Sequence, residues 1–211
     1  MKGNLIIISS PSGGGKGTLI KEVLKIVPNI GYSVSYTTRA MRDGEVDGRD
    51  YFFVSKAEFS ALIEKDEFLE FAEVHGNLYG TSVNQVYDET SKGNDIILEI
   101  DVQGADSIRR KMPDAVGIFI LPPSFEVLRR RLTNRATENQ DDLALRLRNS
   151  LGEVRQFEKF DYVVINDEVK RATADLQNII LAERLTGIRQ MDTIQGILDS
   201  FDISKIITLG D

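Results

Sequence analysis

The sequence predicts an α/β fold: a doubly wound parallel sheet with a lobe inserted into it. Three observations carry this. Apolar runs of strand length, at Leu5–Ile8, Asp95–Asp101, Ala115–Leu121 and Tyr162–Asp167, alternate with segments of helical periodicity. The run from Asp95 to Asp101 is almost continuously apolar, as in a strand covered on both faces. Between about Tyr36 and Tyr87 the rhythm breaks into short strands and turns, which marks the insertion.

Leu5–Ile8 reads as the first strand and runs into Ser9-Ser10-Pro11-Ser12-Gly13-Gly14-Gly15-Lys16-Gly17-Thr18. Ile20, Val23, Leu24 and Val27 then recur at i, i+3, i+4 and i+7, a helical spacing. Strand, glycine-rich turn and helix, in that order, is the setting of a phosphate-binding loop. Glycines let the backbone wrap an anion with its N–H groups inward, the helix start adds unpaired donors, and Lys16 adds a full charge. The strict pattern G-x-x-x-x-G-K-[ST] is not met throughout. Ser10 stands at the first glycine position, Gly17 follows the lysine, and the hydroxyl comes one residue later at Thr18.

Pro28 stops the first helix, and Asn29 to Gly31 turn the chain. Tyr32 to Arg39 is rich in strand formers, and Arg39 and Arg42 lead into a polar loop, Asp43 to Arg49. Tyr51–Val54 is a further strand. Ser55 with Glu58 predicts a capping box, opening a helix through Phe59, Leu62 and Ile63. Phe68 to Val74 is a strand whose alternation puts Glu70, Ala72 and Val74 on one face. Gly76 to Gly80 reads as a turn, and Ser82 with Gln85 as a second capping box. Asp95–Asp101 ends where ligands bind in open α/β sheets, at the carboxyl ends of strands. A helix through Ile108, the strand Ala115–Leu121 and a break at Pro122-Pro123 follow. The next helix carries Arg129, Arg130, Arg131 and Arg135. A polar link, Ala136 to Asp142, leads to a helix with Arg146, Arg148 and Arg155. Tyr162–Asp167 is the last core strand, and a helix runs to about Leu185. Met191, Ile194, Leu198 and Phe201 have the spacing of a short amphipathic helix, packed on the chain's own core or forming a subunit contact.

Composition narrows the function. The 211 residues include no cysteine and a single histidine, His75, so disulfides, thiolate metal sites, a cysteine nucleophile and a multi-histidine zinc site are excluded. Next to the glycine turn, His75 reads as structural or surface. A net charge of −7 argues against nonspecific nucleic-acid binding and makes local arginine clusters informative. Seven arginines stand between Arg129 and Arg155 against four acids there. No apolar run spans a bilayer, and Met1-Lys2-Gly3-Asn4 leads straight into a strand without a signal-peptide pattern. The expected location is cytoplasmic, with no membrane partner.

Several motifs together resemble one family. Ser33-Val34-Ser35-Tyr36-Thr37-Thr38-Arg39-Ala40-Met41-Arg42, then Gly44-Glu45 and Gly48-Arg49-Asp50-Tyr51, resemble guanylate kinase. So do Phe68-Leu69-Glu70, Gly76-Asn77-Leu78-Tyr79-Gly80-Thr81 and Leu98-Glu99-Ile100-Asp101-Val102-Gln103-Gly104. The resemblance covers roughly residues 4 to 187. It implies a phosphate-loop nucleoside monophosphate kinase fold with an inserted GMP-binding lobe and a helical lid. The implied core is 1–35 with 88–188, the lid lies within about 130–150, the lobe is 36–87, and 189–211 is an extension of unassigned role. The implied reaction is ATP + GMP ⇌ ADP + GDP, with dGMP as a further acceptor and Mg²⁺ entering as MgATP. A monomer and a homodimer both fit.

The resemblance also implies roles. Ser12, Gly13, Gly14, Gly15, Lys16, Gly17 and Thr18 would bind ATP, with Arg135 and Asn166. Lys16, Arg42, Arg135 and Arg146 would stabilise the phosphoryl group in transfer, which demands spread positive charge rather than covalent chemistry. Glu70 would accept from the adjacent N1–H and N2 amino donors of guanine, a pair adenine lacks. Ser35 would donate to O6, and Thr81 would add a polar contact. Arg39, Arg42, Tyr51 and Tyr79 would hold the GMP phosphate. Asp101 would lie between guanine and the metal's water shell. The residues alone leave other readings beside these. Glu70 reads as a solvated strand glutamate, Asp101 as a helix cap, and Asn166 as a turn or capping residue. Arg129, Arg130, Arg148 and Arg155 read as exposed helix charges. Gly17 removes the direct hydroxyl ligand to Mg²⁺ that often follows the lysine. A non-catalytic interaction module and a kinase for another monophosphate are the competing readings. The joint presence of Lys16, Arg39, Arg42, Glu70 and Asp101 argues against loss of catalysis.

Overall fold

The computed structural model describes residues 2–74, 76–134 and 140–201. Its centre is strand β1, Leu5–Ser9, in which every residue is buried. Five consecutive buried positions explain the placement, since burying each large aliphatic side chain is worth about 1.5–3 kcal/mol. β1 lies in a parallel five-stranded sheet with β2 (Ile30–Tyr32), β7 (Asp95–Glu99), β8 (Val116–Leu121) and β9 (Tyr162–Ile165), in the order β2-β7-β1-β8-β9. Leu5 is in register with Ile96 on one side and Ile6 with Val116 on the other.

Helices cover both faces, as a doubly wound sheet requires. Alternation along β1 sends Ile6 and Ile8 toward α1 (Lys16–Ile26) and α7 (Val169–Glu183), where Leu19, Val23, Leu176 and Ile180 complete one core cluster. Leu5 and Ile7 face the other way, with Val86 of α3 (Val83–Ser91) and Ala105 and Ile108 of α4 (Val102–Lys111). Below the sheet, the buried Asp95 carboxylate accepts from Asn4 N and from Arg184 Nε, both at 2.7 Å. Arg184 also donates to the carbonyls of Pro28 and Asn29, so one ion pair ties α7 to β1, β7 and the turn after α1.

The insertion forms its own sheet. β3 (Tyr36–Thr37), β4 (Phe52–Phe53), β5 (Phe68–Val74) and β6 (Asn77–Ser82) lie in the order β4-β3-β6-β5. Helix α2 (Lys56–Glu64) opens with the expected Ser55–Glu58 capping box, both halves of which form. An aromatic core joins helix and sheet: Phe59 stacks on Phe68 at 4.5 Å, and Tyr36 on Phe52 at 4.7 Å.

Several elements differ from the sequence reading. The strand read over Tyr32 to Arg39 is divided: β2 stops at Tyr32 beside β7, and β3 pairs with β6 in the other sheet. One straight strand cannot serve both sheets, so the chain crosses between them at residues 33–35. The turn read over Gly76 to Gly80 is mostly strand β6, because antiparallel pairing from Val74↔Asn77 to Phe68↔Ser82 closes a tight hairpin. Gly76, at φ +76°, takes the positive dihedral there. Ser82 caps α3, but the Gln85 side chain turns away to the N–H and carbonyl of Val34, so the second box is half formed. Helix α6 (Gln140–Val154) begins inside the expected link, whose first part, like Arg135 and His75, lies outside the described residues. Arg155 opens a 3-10 turn instead of extending α6. The tail forms α8 (Met191–Ser200), yet Met191, Leu198 and Phe201 stay exposed, so its apolar side does not pack on the core.

Candidate active site

The glycine-rich loop leaves the carboxyl end of β1 and enters α1 at Lys16. Gly13 and Gly15 have φ of +84° and +89°, a region that only glycine occupies without strain. A side chain at Gly15 would also place its Cβ 2.3 Å from Asn166 Nδ2. The loop is braced from outside. Buried Asn166 donates from Nδ2 to the Gly14 carbonyl at 2.9 Å. Arg131, on α5 (Phe125–Asn134), donates to the Gly14 carbonyl at 3.2 Å and to that of Asn166 at 2.9 Å. These bonds fix the Gly14 carbonyl against Asn166 and Arg131.

Lys16 Nζ donates to the Ile100 carbonyl at 3.1 Å and stands 3.9 Å from Glu99 Oε1. Burial pulls its pKa below the ordinary lysine value, and the carboxylates of Glu99, Asp101 and Glu153 work against that fall. Gly17 faces Glu99 as well: a Cβ there would lie 3.5 Å from Oε1. Thr18 is exposed and lines a cleft with Glu99, Tyr32 and Tyr51. On the other side of the loop, Arg146 of α6 donates to Ser12 Oγ at 3.3 Å, and Glu153 of α6 accepts from Ser12 N at 2.9 Å.

Past Ile100 lies a cavity of about 230 Å³, lined by Ser35, Tyr51, Glu70, Tyr79 and Asp101 together with Ala72, Val74, Glu99 and Ile100. The β5 alternation is as read, since Glu70, Ala72 and Val74 all line it while Phe71 is exposed. Glu70 is only 7% exposed, so it is no solvated strand glutamate. Burial raises its pKa above the ordinary carboxylate range, aided by Asp101 and opposed by the Thr81 hydrogen bond and Lys111. Gly104 leaves room for this group, because a Cβ there would stand 3.1 Å from Glu70 Oε2. Thr81 is buried, and its hydroxyl donates to Glu70 Oε1, so it supports the acid from behind and does not line the cavity.

Asp101 takes the helix-cap reading. It is exposed, and its Oδ1 accepts from Gly104 N at 2.7 Å as the N-cap of α4. The same residue lines the cavity, so cap and site coincide. Arg39 lies over the Tyr51 and Phe53 rings, at 5.3 and 5.6 Å from their centroids. Its guanidinium pairs in bidentate fashion with Glu45, at 3.1 and 2.8 Å, and this pairing raises its pKa. Arg42 is exposed, donates its backbone N–H to Glu45, and does not line the cavity.

Glu45, Glu99, Arg131 and Glu153 touch the site and were given no role in the sequence reading. Arg131 carried a signal: it lies three residues from Leu128 and beside Leu132, both buried, and so faces inward. Glu99 and Glu153 carried none, because their partners are remote in sequence, whereas Glu45 lies within six residues of Arg39 and Arg42. Among the described residues, no three acidic or histidine side chains gather to hold a metal by themselves, and no helix is long and apolar enough to cross a membrane.

Comparison with known proteins places this geometry in context. The guanylate kinase family profile matches residues 2–183. The guanylate kinase of Geobacter sulfurreducens is 46% identical over 196 residues, 93% of this chain and 97% of that protein. That of Aromatoleum aromaticum is 50% identical over 190 residues, 90% of this chain and 93% of that one. The crystal structure of guanylate kinase from Anaplasma phagocytophilum is similar with a TM-score of 0.75 at 37% identity, covering 89% of both chains.

Proposed function

The chain belongs to the guanylate kinase family, whose members transfer the γ-phosphoryl group of ATP to GMP, and we propose the following division of that work among its residues. The observation that carries the reading is the position of Glu70. A buried carboxylate backed by Thr81 forms one wall of a cavity that meets the phosphate loop through Ile100, whose carbonyl holds Lys16.

Glu70 accepts from guanine N1–H and the N2 amino group at once, while Ser35 donates to O6. The acceptor phosphate meets Arg39, Arg42, Tyr51 and Tyr79. Glu45 then gives up part of its hold on Arg39, whose ring-stacked guanidinium keeps its place against Tyr51. Ser12 to Thr18 cradle the ATP phosphates, with Asn166 and Arg131 bracing the cradle and Asn166 near the adenine side. A GMP phosphate oxygen attacks the γ-phosphorus in line. The bond to the β–γ bridging oxygen breaks, and ADP leaves with that electron pair. The acceptor is already anionic, so no general base is needed. Lys16 and Arg146 stabilise the equatorial oxygens, joined by Arg135. The lid that the family resemblance implies, within about 130–150, closes over the bound nucleotides to exclude water.

The residues fit Mg²⁺ carried in on ATP. Glu99 and Asp101 stand at the end of β7, and Gly17 leaves space beside Glu99 where a side chain would otherwise crowd a water shell. Bound there through water, the ion would neutralise charge on the β- and γ-phosphates. dGMP is a second acceptor, and the chain works in the cytoplasm as a monomer or homodimer.

A coupled assay with ATP and GMP, dGMP, AMP, UMP or CMP tests this reading. Turnover confined to the guanine acceptors is the expected result. Preference for AMP removes Glu70 from its role, and GMP binding without turnover makes the chain a non-catalytic module.

A further inference from the structure

Ser12 is gripped twice by one helix. Arg146 and Glu153, seven residues and two turns apart on α6, reach its hydroxyl and its backbone N–H. Ser12 lies in the glycine-rich segment, where the backbone N–H groups serve as donors to phosphate. A carboxylate oxygen 2.9 Å from such a donor has the charge and acceptor geometry of a phosphate oxygen. Nothing in the reaction asks for a carboxylate at this point, and its charge is wrong for a site that must gather a triphosphate.

We propose that Glu153 is an internal stand-in for phosphate: it occupies the Ser12 N–H while the loop is free of nucleotide, ties α6 to the loop, and is displaced when the ATP triphosphate arrives. The inference rests on the proposed use of Ser12 to Thr18 for ATP. It gives α6 two arrangements. With the loop free, α6 is held by both Glu153 and Arg146. With the loop filled, Arg146 stays with the phosphates while Glu153 swings out.

The structure provides somewhere for it to go. Glu153 also borders a cavity of about 810 Å³, whose lining includes Arg110, Arg148 and Lys159 beside Asp106. Arg110 already pairs with Asp106, which leaves Arg148 and Lys159 as the cations of that lining for a released carboxylate. The displaced acid thus exchanges a backbone N–H for a cavity lined by cations. Lys16 feels the negative charge of Glu153 in the free state, so its release removes a negative charge from the neighbourhood of the incoming phosphates.

The test is equilibrium titration of Mg²⁺ and the non-hydrolysable ATP analogue AMP-PNP into the full chain, with GMP titrated separately. Wild type is compared with Glu153→Gln, which keeps shape and an acceptor but not charge, and with Glu153→Ala. A competing contact lowers apparent affinity by the fraction of time it holds the loop. AMP-PNP is therefore expected to bind about three- to tenfold more tightly to Glu153→Gln and Glu153→Ala, with GMP affinity unchanged. The KM for ATP should fall by a similar factor while kcat changes less. Equal or weaker AMP-PNP binding in both variants overturns the proposal, because a merely structural clamp gives that result together with a lower Tm. A Lys16→Met control separates the two readings. If it leaves wild-type AMP-PNP affinity intact, the triphosphate does not use this loop, and the site assignment falls together with the role of Glu153.

Discussion

Thr81 stands directly opposite Glu70 on the β5–β6 ladder and donates its hydroxyl hydrogen to Glu70 Oε1 over 2.7 Å. The bond fixes the carboxylate's rotamer and lowers the cost of its charge in a buried place. Thr81→Val keeps the shape and removes the donor. It is expected to raise the KM for GMP about tenfold, the effect of losing roughly 1–1.5 kcal/mol of hydrogen bonding to an ionised group, whereas Thr81→Ser stays near wild type. Steady-state kinetics on the two variants checks this. Equal KM values in both would show that the hydroxyl does not prepare the acid.

The raised pKa of Glu70 has two consequences with opposite pH directions. Guanine needs the ionised form, so GMP affinity should weaken as pH falls toward the raised value, before an ordinary glutamate of pKa 4.5 would titrate. Stability runs the other way. The native state holds the Glu70 proton more tightly than the unfolded chain, so this residue's contribution to stability declines as pH rises from the unfolded to the folded pKa and is constant above it. Denaturant midpoints and GMP titrations across pH 4 to 8 measure both, and Glu70→Gln should remove this residue's share of each slope by comparison with wild type.

Lys16 is held at the mouth of α1 against a carbonyl and three acids, at a desolvation cost. Lys16→Met should lower kcat about 10²–10³-fold or more, because the charge acts on the transferring group. Its Tm should not fall, since the substitution removes a buried ammonium and keeps the apolar stem. A large loss of Tm would make the lysine structural.

Far from the site, Arg184→Ala would leave the Asp95 carboxylate buried with only Asn4 N to answer it. An uncompensated buried charge costs about 3–5 kcal/mol, so a clear drop in Tm is expected, with KM values for both nucleotides unchanged. Asp95→Asn in the same background should restore part of the loss. Thermal melts of wild type and the two variants decide it.

The parallel core was legible because its signals are local. Continuous apolar runs mark β1 and β7, and the glycine-rich turn with its lysine sits between a strand and a helical pattern. Glu70 was placed on the right face by alternation alone, but its burial was not, because that depends on Gly104 of a helix more than thirty residues away. The same distance hid Glu153, whose partner Ser12 is 141 residues earlier. Asp101 was legible as a helix cap because capping is local, and that role leaves it exposed. β6 was read as a turn because glycines at 76 and 80 suggest one. Only Gly76 has a positive φ, and Gly80 is glycine for packing, since a Cβ would stand 2.9 Å from the Phe68 ring.

The central claim is that Glu70 chooses the acceptor by the paired donors of guanine, and the direct measurement is the acceptor panel run on Glu70→Gln beside wild type. An amide cannot accept from both N1–H and N2, so kcat/KM for GMP should fall by about two to three orders of magnitude while that for AMP stays the same or rises. Undiminished preference for GMP in Glu70→Gln would contradict the account.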